Sequence, residues 1–174
     1  VGIYNVAVKV ALLASFTLAS INSISAPKIS ETYNNNDFPA FYKVVSQTTK
    51  TIFYSAIPLV TFIFIFPEFI LNFFGEEFLS ARVALFILVF SQLINTMSGS
   101  VGVILNMTGK EKVFRNILSI ALLINITLNI LLIPKFEIEG AAIASAASMI
   151  FWNIYSVYYV YKKYNILAFI SFSK

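Results

Sequence analysis

The alternation of hydrophobic and polar positions divides the chain into five long apolar stretches separated by short polar segments. The stretches run over residues 1–26, 51–74, 83–109, 116–134 and 140–161. A bilayer core about 30 Å thick requires about 20 apolar residues in a helix, and these stretches meet or approach that length. Their polarity does not alternate with the period of two that barrel strands show. The pattern therefore predicts an all-α membrane bundle with five transmembrane helices.

Prolines and a capping residue refine these boundaries. We expect Pro58 to kink the second helix and Pro134 to close the fourth. Just before the second stretch, Asp37 and Pro39 can begin a short amphipathic helix. Two interpretations stay open for this helix: it lies on the membrane surface, or it leads directly into the second span.

Basic residues are distributed unequally between the two sets of predicted loops. One set contains Lys28, Lys43, Lys50, Lys110, Lys112, Arg115, Lys162, Lys163 and Lys174, whereas the opposite set contains Arg82 and Lys135. Because Lys and Arg are enriched in cytoplasmic loops, the richer side is predicted to be cytoplasmic. Residues 1–163 then form the membrane domain, and residues 164–174 form a cytoplasmic tail or lead into a further span.

Composition excludes most classes of soluble enzyme. The chain is 59% hydrophobic and 11% charged, and it contains neither cysteine nor histidine. Disulfide frameworks, thiol nucleophiles and histidine-based metal sites are therefore excluded. The net charge of +4 does not indicate nucleic acid binding, because the basic residues lie between apolar runs. We predict a non-enzymatic membrane protein that has no catalytic residue, cofactor or metal and is surrounded by membrane lipids.

Polar residues inside the predicted spans are candidates for a substrate path. Lys9 lies in the first span with Asn5 one turn before it, and a charge at mid-bilayer costs about 2.5 to 3.5 kcal/mol. Either a hydrophilic cavity with an anionic ligand group faces Lys9, or its side chain snorkels to the outer interface. Further candidates, which either line a path or join helices by hydrogen bonds, are Gln92, Asn95, Ser98, Asn125 and Asn129.

Small residues in the third and fifth spans indicate close helix contacts. Gly99 and Gly102 follow the polar stripe of the third span, and Gly140, Ala144 and Ser148 lie near the start of the fifth. Small side chains let two helices approach closely in a membrane. We predict these five residues as packing positions.

Several strings together resemble those of polysaccharide-biosynthesis flippases. They are VGIYNVAVKV, APKISETY, NFFGEEF, GVILNMTGKEK and LNILLIPKFEIEGAAIAS. Their order resembles the Wzx-type O-antigen and capsule transporters of the multidrug/oligosaccharidyl-lipid/polysaccharide exporter superfamily. The resemblance implies that residues 1–163 are most of the C-terminal lobe of a two-lobe exporter, whose N-terminal lobe is its partner. Glu137 and Glu139 depart from the uncharged, glycine-containing turn of the family, so the family pattern does not predict the conformation of this loop.

The function implied by the resemblance is transport across the bacterial inner membrane. Its substrate would be an oligosaccharide on undecaprenyl pyrophosphate, flipped between leaflets for surface polysaccharide biosynthesis. Lys9 would contact pyrophosphate or an acidic sugar, and the asparagines and Gln92 would contact sugars. Alternatives are a multidrug exporter or a flippase for the peptidoglycan lipid precursor. From another class, a polytopic membrane enzyme such as an O-antigen polymerase stays open.

Overall fold

The computed structural model describes residues 2–166 and 168–170, in which every regular element is helical. The elements are α1 (Gly2–Asn34), α2 (Phe38–Ile65), α3 (Pro67–Asn72), a 3₁₀ helix (Glu76–Ala81), α4 (Arg82–Met97), α5 (Val101–Met107) and α6 (Glu111–Tyr164). The predicted all-α class is confirmed. Four helical stretches, Gly2–Asn34, Phe38–Ile65, Glu76–Met97 and Glu111–Tyr164, are long and apolar enough to cross a membrane. The first residue of the predicted first span and the tail residue Lys174 lie outside the described residues.

α1 is longer than the predicted first span. We expected an end near residue 26, but the helix continues through Pro27 to Asn34. A proline inside a helix costs about 3 kcal/mol. Ile29 and Phe41 are both completely buried in one apolar cluster, and this packing keeps the residues after Pro27 helical.

α2 joins the predicted amphipathic helix and most of the second span in one continuous helix. Asp37 caps its first turn as predicted, because the Ala40 N–H donates to Asp37 Oδ1 at 3.0 Å. Phe41, Val45 and Ile52 are all buried and lie on one face of the helix. The lead-in interpretation is therefore correct, and a separate surface helix is wrong.

The second predicted span ends earlier than expected. α2 continues through Pro58 but stops at Ile65 instead of residue 74. Phe66 has φ −118° and ψ 44°, and Pro67 begins the short helix α3. A residue that precedes proline is sterically disfavoured from helical dihedrals, so Pro67 ends α2.

The third predicted span is broken into α4 and α5 by a turn at residues 98–100. Gly99 in this turn has φ +60°, a backbone region that favours glycine. A Cβ atom at Gly99 would lie 2.3 Å from Thr49 Oγ1 of α2. The predicted continuous helix over residues 83–109 is therefore wrong, because the backbone turns at residues 98–100, beside Thr49 of α2.

α6 is a helical hairpin, because its backbone leaves the helical region at Glu137 (φ 46°, ψ −117°). Asn125 Nδ2 donates to Ser148 Oγ at 3.3 Å across 23 residues. A straight helix would separate them by about 35 Å. The two arms, residues 111–136 and 138–164, contain the predicted fourth and fifth spans. Pro134 does not close the first arm as predicted, since the reversal comes at Glu137.

The described part of the predicted tail packs against the bundle. Ile170 N–H donates to the Met97 carbonyl at 2.9 Å, and Ala168 is completely buried. Residues 168–170 therefore lie beside the turn between α4 and α5 instead of extending away from it.

The core consists of two apolar clusters with a polar layer between them. The first cluster includes Ala7, Val10, Ala14, Val60, Ile63, Leu85, Val89 and Ala142. The second includes Ile29, Phe41, Val45, Val101, Ile104, Ile117 and Val160. Along every long helix, buried or half-buried polar residues fall between these two sets: Asn22, Ser25, Thr48, Thr49, Gln92, Asn95, Thr96, Ser98, Ser100, Asn153 and Ser156. We call these eleven residues the polar layer.

Candidate functional site

One face of α1 is not covered by the rest of the described chain. Asn5 and Lys9 are exposed on this face, and Phe16 is 73% exposed. Ala7 and Val10 are buried on the opposite face. Between residues 2 and 166, and in residues 168–170, no hydrogen bond or ion pair engages the side chains of Asn5 and Lys9. The two predicted path residues on α1 therefore point away from the bundle together.

The outer face of the first hairpin arm is apolar, unlike the face of α1 that carries Asn5 and Lys9. Its exposed large residues are Leu118, Ile120, Leu122, Leu123, Ile126, Ile130, Leu131 and Ile133. The exposed Ser119 and Thr127 donate their hydroxyls to backbone carbonyls one turn earlier, so they present no free donor. Such a face suits contact with lipid tails, whereas a charged Lys9 requires polar surroundings.

A groove of about 300 Å³ lies between α1 and α2. Its lining residues are Ile21, Ile24, Ser25, Lys28, Val44, Gln47, Thr48 and Thr51. Ser25 and Thr48 are 9% and 6% exposed, and Thr48 Oγ1 donates to Ser25 Oγ at 3.1 Å. The sequence predicts Lys28 only as a loop charge, and it predicts no ligand contact for the other lining residues. We call this feature the α1–α2 groove.

The path candidates of the third predicted span lie in the polar layer. Gln92 and Asn95 are 3% and 7% exposed, and Asn95 Nδ2 donates to Gln92 Oε1 at 3.1 Å. Ser98 is completely buried and donates to the Ile94 carbonyl at 2.8 Å. These three side chains are thus separated from Lys9, and their role in a substrate path stays a prediction.

Asn125 and Asn129 lie between the two arms of the α6 hairpin. Asn129 Nδ2 donates to Asn125 Oδ1 at 2.9 Å, and Asn125 in turn donates to Ser148. Both asparagines are half-buried. In this conformation Asn125 joins the two arms and Asn129 bonds to Asn125 within the first arm, and contact of either residue with a sugar stays a prediction.

The predicted packing positions lie where neighbouring segments approach closely. A Cβ atom at Gly102 would lie 2.8 Å from the Phe114 ring, and one at Gly140 would lie 2.5 Å from the Leu132 carbonyl oxygen. Ala144 is completely buried in the second arm. A larger side chain at Gly140 would therefore push the hairpin arms apart.

The two ends of the bundle carry opposite charge. Tyr42 OH donates to the Tyr164 carbonyl at 3.2 Å, and Tyr164 OH donates to Thr108 Oγ1 at 2.7 Å. These bonds bring the basic segments 43–50, 110–115 and 162–163 to one end, which we call the basic end. The opposite end contains a groove lined by Ser80, Lys135, Glu137 and Glu139, among other residues.

Long apolar helices around a buried polar layer define this chain as part of a multi-pass membrane protein. The chain belongs to the MatE family of membrane transporters, because the MatE family model matches residues 1–131.

Three relatives match along most of the chain. An uncharacterized membrane protein of Methanocaldococcus jannaschii is 32% identical over 163 residues, which is 91% of this chain and 31% of the relative. A probable low-salt glycan biosynthesis flippase of Haloferax volcanii is 26% identical, over 92% of this chain and 34% of the relative. A capsular polysaccharide biosynthesis protein of Staphylococcus aureus is 27% identical, over 93% and 41%.

The chain thus spans between 31% and 41% of the length of these relatives. No solved structure matches the chain significantly.

Proposed function

We propose that this chain is part of a flippase for lipid-linked oligosaccharides. The substrate is an oligosaccharide on undecaprenyl pyrophosphate, which moves from the cytoplasmic to the outer leaflet of a bacterial inner membrane for surface polysaccharide biosynthesis. The names of the relatives from Haloferax volcanii and Staphylococcus aureus support a glycan substrate. The observation that carries the proposal is the exposed position of Lys9 beside Asn5 on the uncovered face of α1.

The chemistry of Lys9 suits the most charged part of such a substrate. A pyrophosphate group cannot cross hydrocarbon without compensation of its charge, and an ammonium group supplies that compensation at short range. Asn5 lies one turn away and adds an amide that can donate to a phosphate or sugar oxygen. The N-terminal lobe of a two-lobe exporter would face this surface of α1. The lipid tail would stay in the bilayer while the head group crosses between the lobes.

The positive charge of Lys9 also disfavours one alternative function, a multidrug exporter. A multidrug exporter for cationic compounds would place a cation against a cationic substrate, which costs free energy in a site of low dielectric constant. A flippase for the peptidoglycan lipid precursor shares the pyrophosphate group and is distinguished only by its sugars. A membrane polymerase would not require the charge of Lys9 for passage of a head group.

The test is substitution of Lys9 in the full-length protein. Lys9→Ala should lower surface-polysaccharide export by roughly tenfold to hundredfold, because it removes charge-assisted hydrogen bonds. Lys9→Arg should retain part of the export, since arginine keeps the charge but has a larger planar head. Export is measured as surface polysaccharide at matched protein levels in the membrane.

Lys112→Ala is the control, because Lys112 is an exposed lysine at the basic end. It should leave export unchanged. Normal export by Lys9→Ala would indicate that Lys9 snorkels to the interface, and it would remove the observation on which the proposal depends.

A further inference from the structure

We propose that the α1–α2 groove binds the diphosphate group of an isoprenoid-linked lipid at the basic end of the bundle. This inference rests on the proposed flippase function and adds a loading site to it. Lys28 of the groove and Lys9 lie about 28 Å apart along the same helix at 1.5 Å per residue. That distance is close to the thickness of a bilayer core. The two lysines are thus separated by about the thickness of that core, with Lys9 on the uncovered face of α1 and Lys28 in the groove.

Several hydrogen-bond donors of the groove have no acceptor among the described residues. Thr48 donates to Ser25, so the hydroxyl hydrogen of Ser25 is left without an acceptor among the described residues. The side chains of Lys28, Gln47 and Thr51 likewise make no hydrogen bond within residues 2–166 and 168–170. The groove thus offers an ammonium group, an amide and two hydroxyls to one ligand. A phosphate group, which carries several acceptor oxygens, satisfies such a set of donors.

The charge around the groove favours an anion. No carboxylate is among the described residues that line the groove. Glu31 is the nearest acid along α1, one turn after Lys28, and it is exposed. Glu31 forms no ion pair with Lys28 in the described part of the chain. The ammonium group of Lys28 is therefore available to a ligand.

The remaining walls of the groove are apolar. Ile21, Ile24 and Val44 line it beside the polar residues, and Ile24 is 71% exposed. These side chains can contact the hydrocarbon stem next to a lipid phosphate. The volume of about 300 Å³ is at the lower end of the range for small-molecule pockets, which is about 300 to 1,000 Å³. It suits a diphosphate with the first part of its chain, whereas the glycan would extend outward.

The experiment measures binding of farnesyl diphosphate to the purified full-length protein in detergent. Lys28→Ala should weaken binding by roughly tenfold to hundredfold, because it removes the ammonium group that the described lining residues supply. Ser25→Ala should weaken it by about fivefold, the value of one neutral hydrogen bond. Lys43→Ala is the control, since Lys43 is an exposed lysine of α2 outside the groove, and it should bind normally. Thermal unfolding of each variant verifies that it is folded.

Competition identifies the source of the phosphate. Bound farnesyl diphosphate should not be displaced by an equal concentration of a short-chain phosphatidylglycerol or of inorganic pyrophosphate. Equal competition by phosphatidylglycerol would overturn the proposal in favour of a general phospholipid site. Equal competition by pyrophosphate would overturn the role of the apolar walls. Unchanged binding by Lys28→Ala would overturn the site itself.

The Lys9 and Lys28 variants separate this inference from the proposed function. Lys9→Ala should retain farnesyl diphosphate binding at the groove while it loses export, which supports both proposals. Normal export by Lys9→Ala, together with binding that depends on Lys28, contradicts the path through Lys9 and leaves the groove site supported. Loss of export by Lys9→Ala with no effect of Lys28 on binding overturns the groove site alone.

Discussion

At the scale of single residues, Gly99 determines how closely α2 can approach the turn between α4 and α5. Gly99 and Gly109 both have positive φ angles, +60° and +69°. Their surroundings differ, because a Cβ atom would overlap Thr49 at Gly99 and would meet nothing within 4 Å at Gly109. The pair therefore separates the cost of backbone strain from the cost of a steric overlap.

We expect Gly99→Ala to destabilise the full-length protein more than Gly109→Ala. Left-handed strain of about 1 to 2 kcal/mol is common to both variants. The overlap with Thr49 should add about 1 to 3 kcal/mol to the loss for Gly99→Ala alone. Unfolding of the purified protein in detergent measures the difference. Thr49→Ala should restore part of the stability of Gly99→Ala, whereas equal losses for the two glycine variants would contradict the close approach of α2.

At the scale of the helices, the hairpin in α6 determines which residues can meet in the bundle. The reversal at Glu137 places the second arm beside the first, and it lets Tyr4 of α1 hydrogen-bond to Ser145 at 2.9 Å. Asn125 makes a polar contact with Ser148 between the arms, and Asn129 donates to Asn125 within the first arm. Such bonds contribute about 0.6 kcal/mol on average in a membrane protein, so the reversal depends mostly on packing.

A disulfide tests the hairpin directly, because the chain contains no cysteine of its own. Asn125→Cys and Ser148→Cys together should form a disulfide on oxidation, and both thiols should then resist maleimide labelling. Leu122→Cys with Ser148→Cys is the control, because Leu122 is 58% exposed on the outer face of the first arm. Its two thiols should stay reactive. Free thiols in the Asn125 and Ser148 pair after oxidation would contradict the antiparallel arms.

The helices illustrate which features the sequence can predict. The all-α class and the Asp37 cap depend on residues that are close in the chain, and both were predictable, whereas the ends of the helices were not. The extension of α1 beyond Pro27 depends on Phe41, and the break at Gly99 depends on Thr49, which belongs to another helix. Local propensity alone cannot include such partners, because tertiary packing overrides it.

The candidate site likewise contains one part that the sequence can predict and one part that depends on the fold. Lys9 could be singled out because a lysine inside an apolar stretch is costly in a membrane unless polar groups face it or it snorkels to the interface. The α1–α2 groove could not, since its donors come from two helices and become neighbours only in the folded bundle. A signal was nevertheless present in the polar spacing of Gln47 and Thr51 on α2, which lie one turn apart.

At the scale of the whole molecule, the separation of charge between the two ends determines the orientation in the membrane. The segments with most lysines meet at the basic end through the bonds of Tyr42 and Tyr164. Arg82 forms an ion pair with Glu68 at the opposite end, so part of the positive charge there is compensated. Lys and Arg of short loops stay on the cytoplasmic side during insertion, which predicts that the basic end is cytoplasmic.

Cysteine labelling in a cysteine-free full-length protein tests this orientation. Lys112 and Glu77 are both exposed, and they lie at opposite ends of the bundle. Glu77→Cys should react with a membrane-impermeant maleimide added to cells whose outer membrane or cell wall has been permeabilised. The reason is that the predicted orientation places the 3₁₀ helix on the outer side of the inner membrane. Lys112→Cys should react only after the inner membrane is permeabilised, which also verifies that its thiol is accessible. The reverse pattern would place the α1–α2 groove on the outer side, where it could not load a substrate made in the cytoplasm. Because the groove lies at the basic end, this measurement shows on which side of the membrane Lys28 lies. It therefore decides whether movement of a head group from Lys28 to Lys9 would be outward or inward.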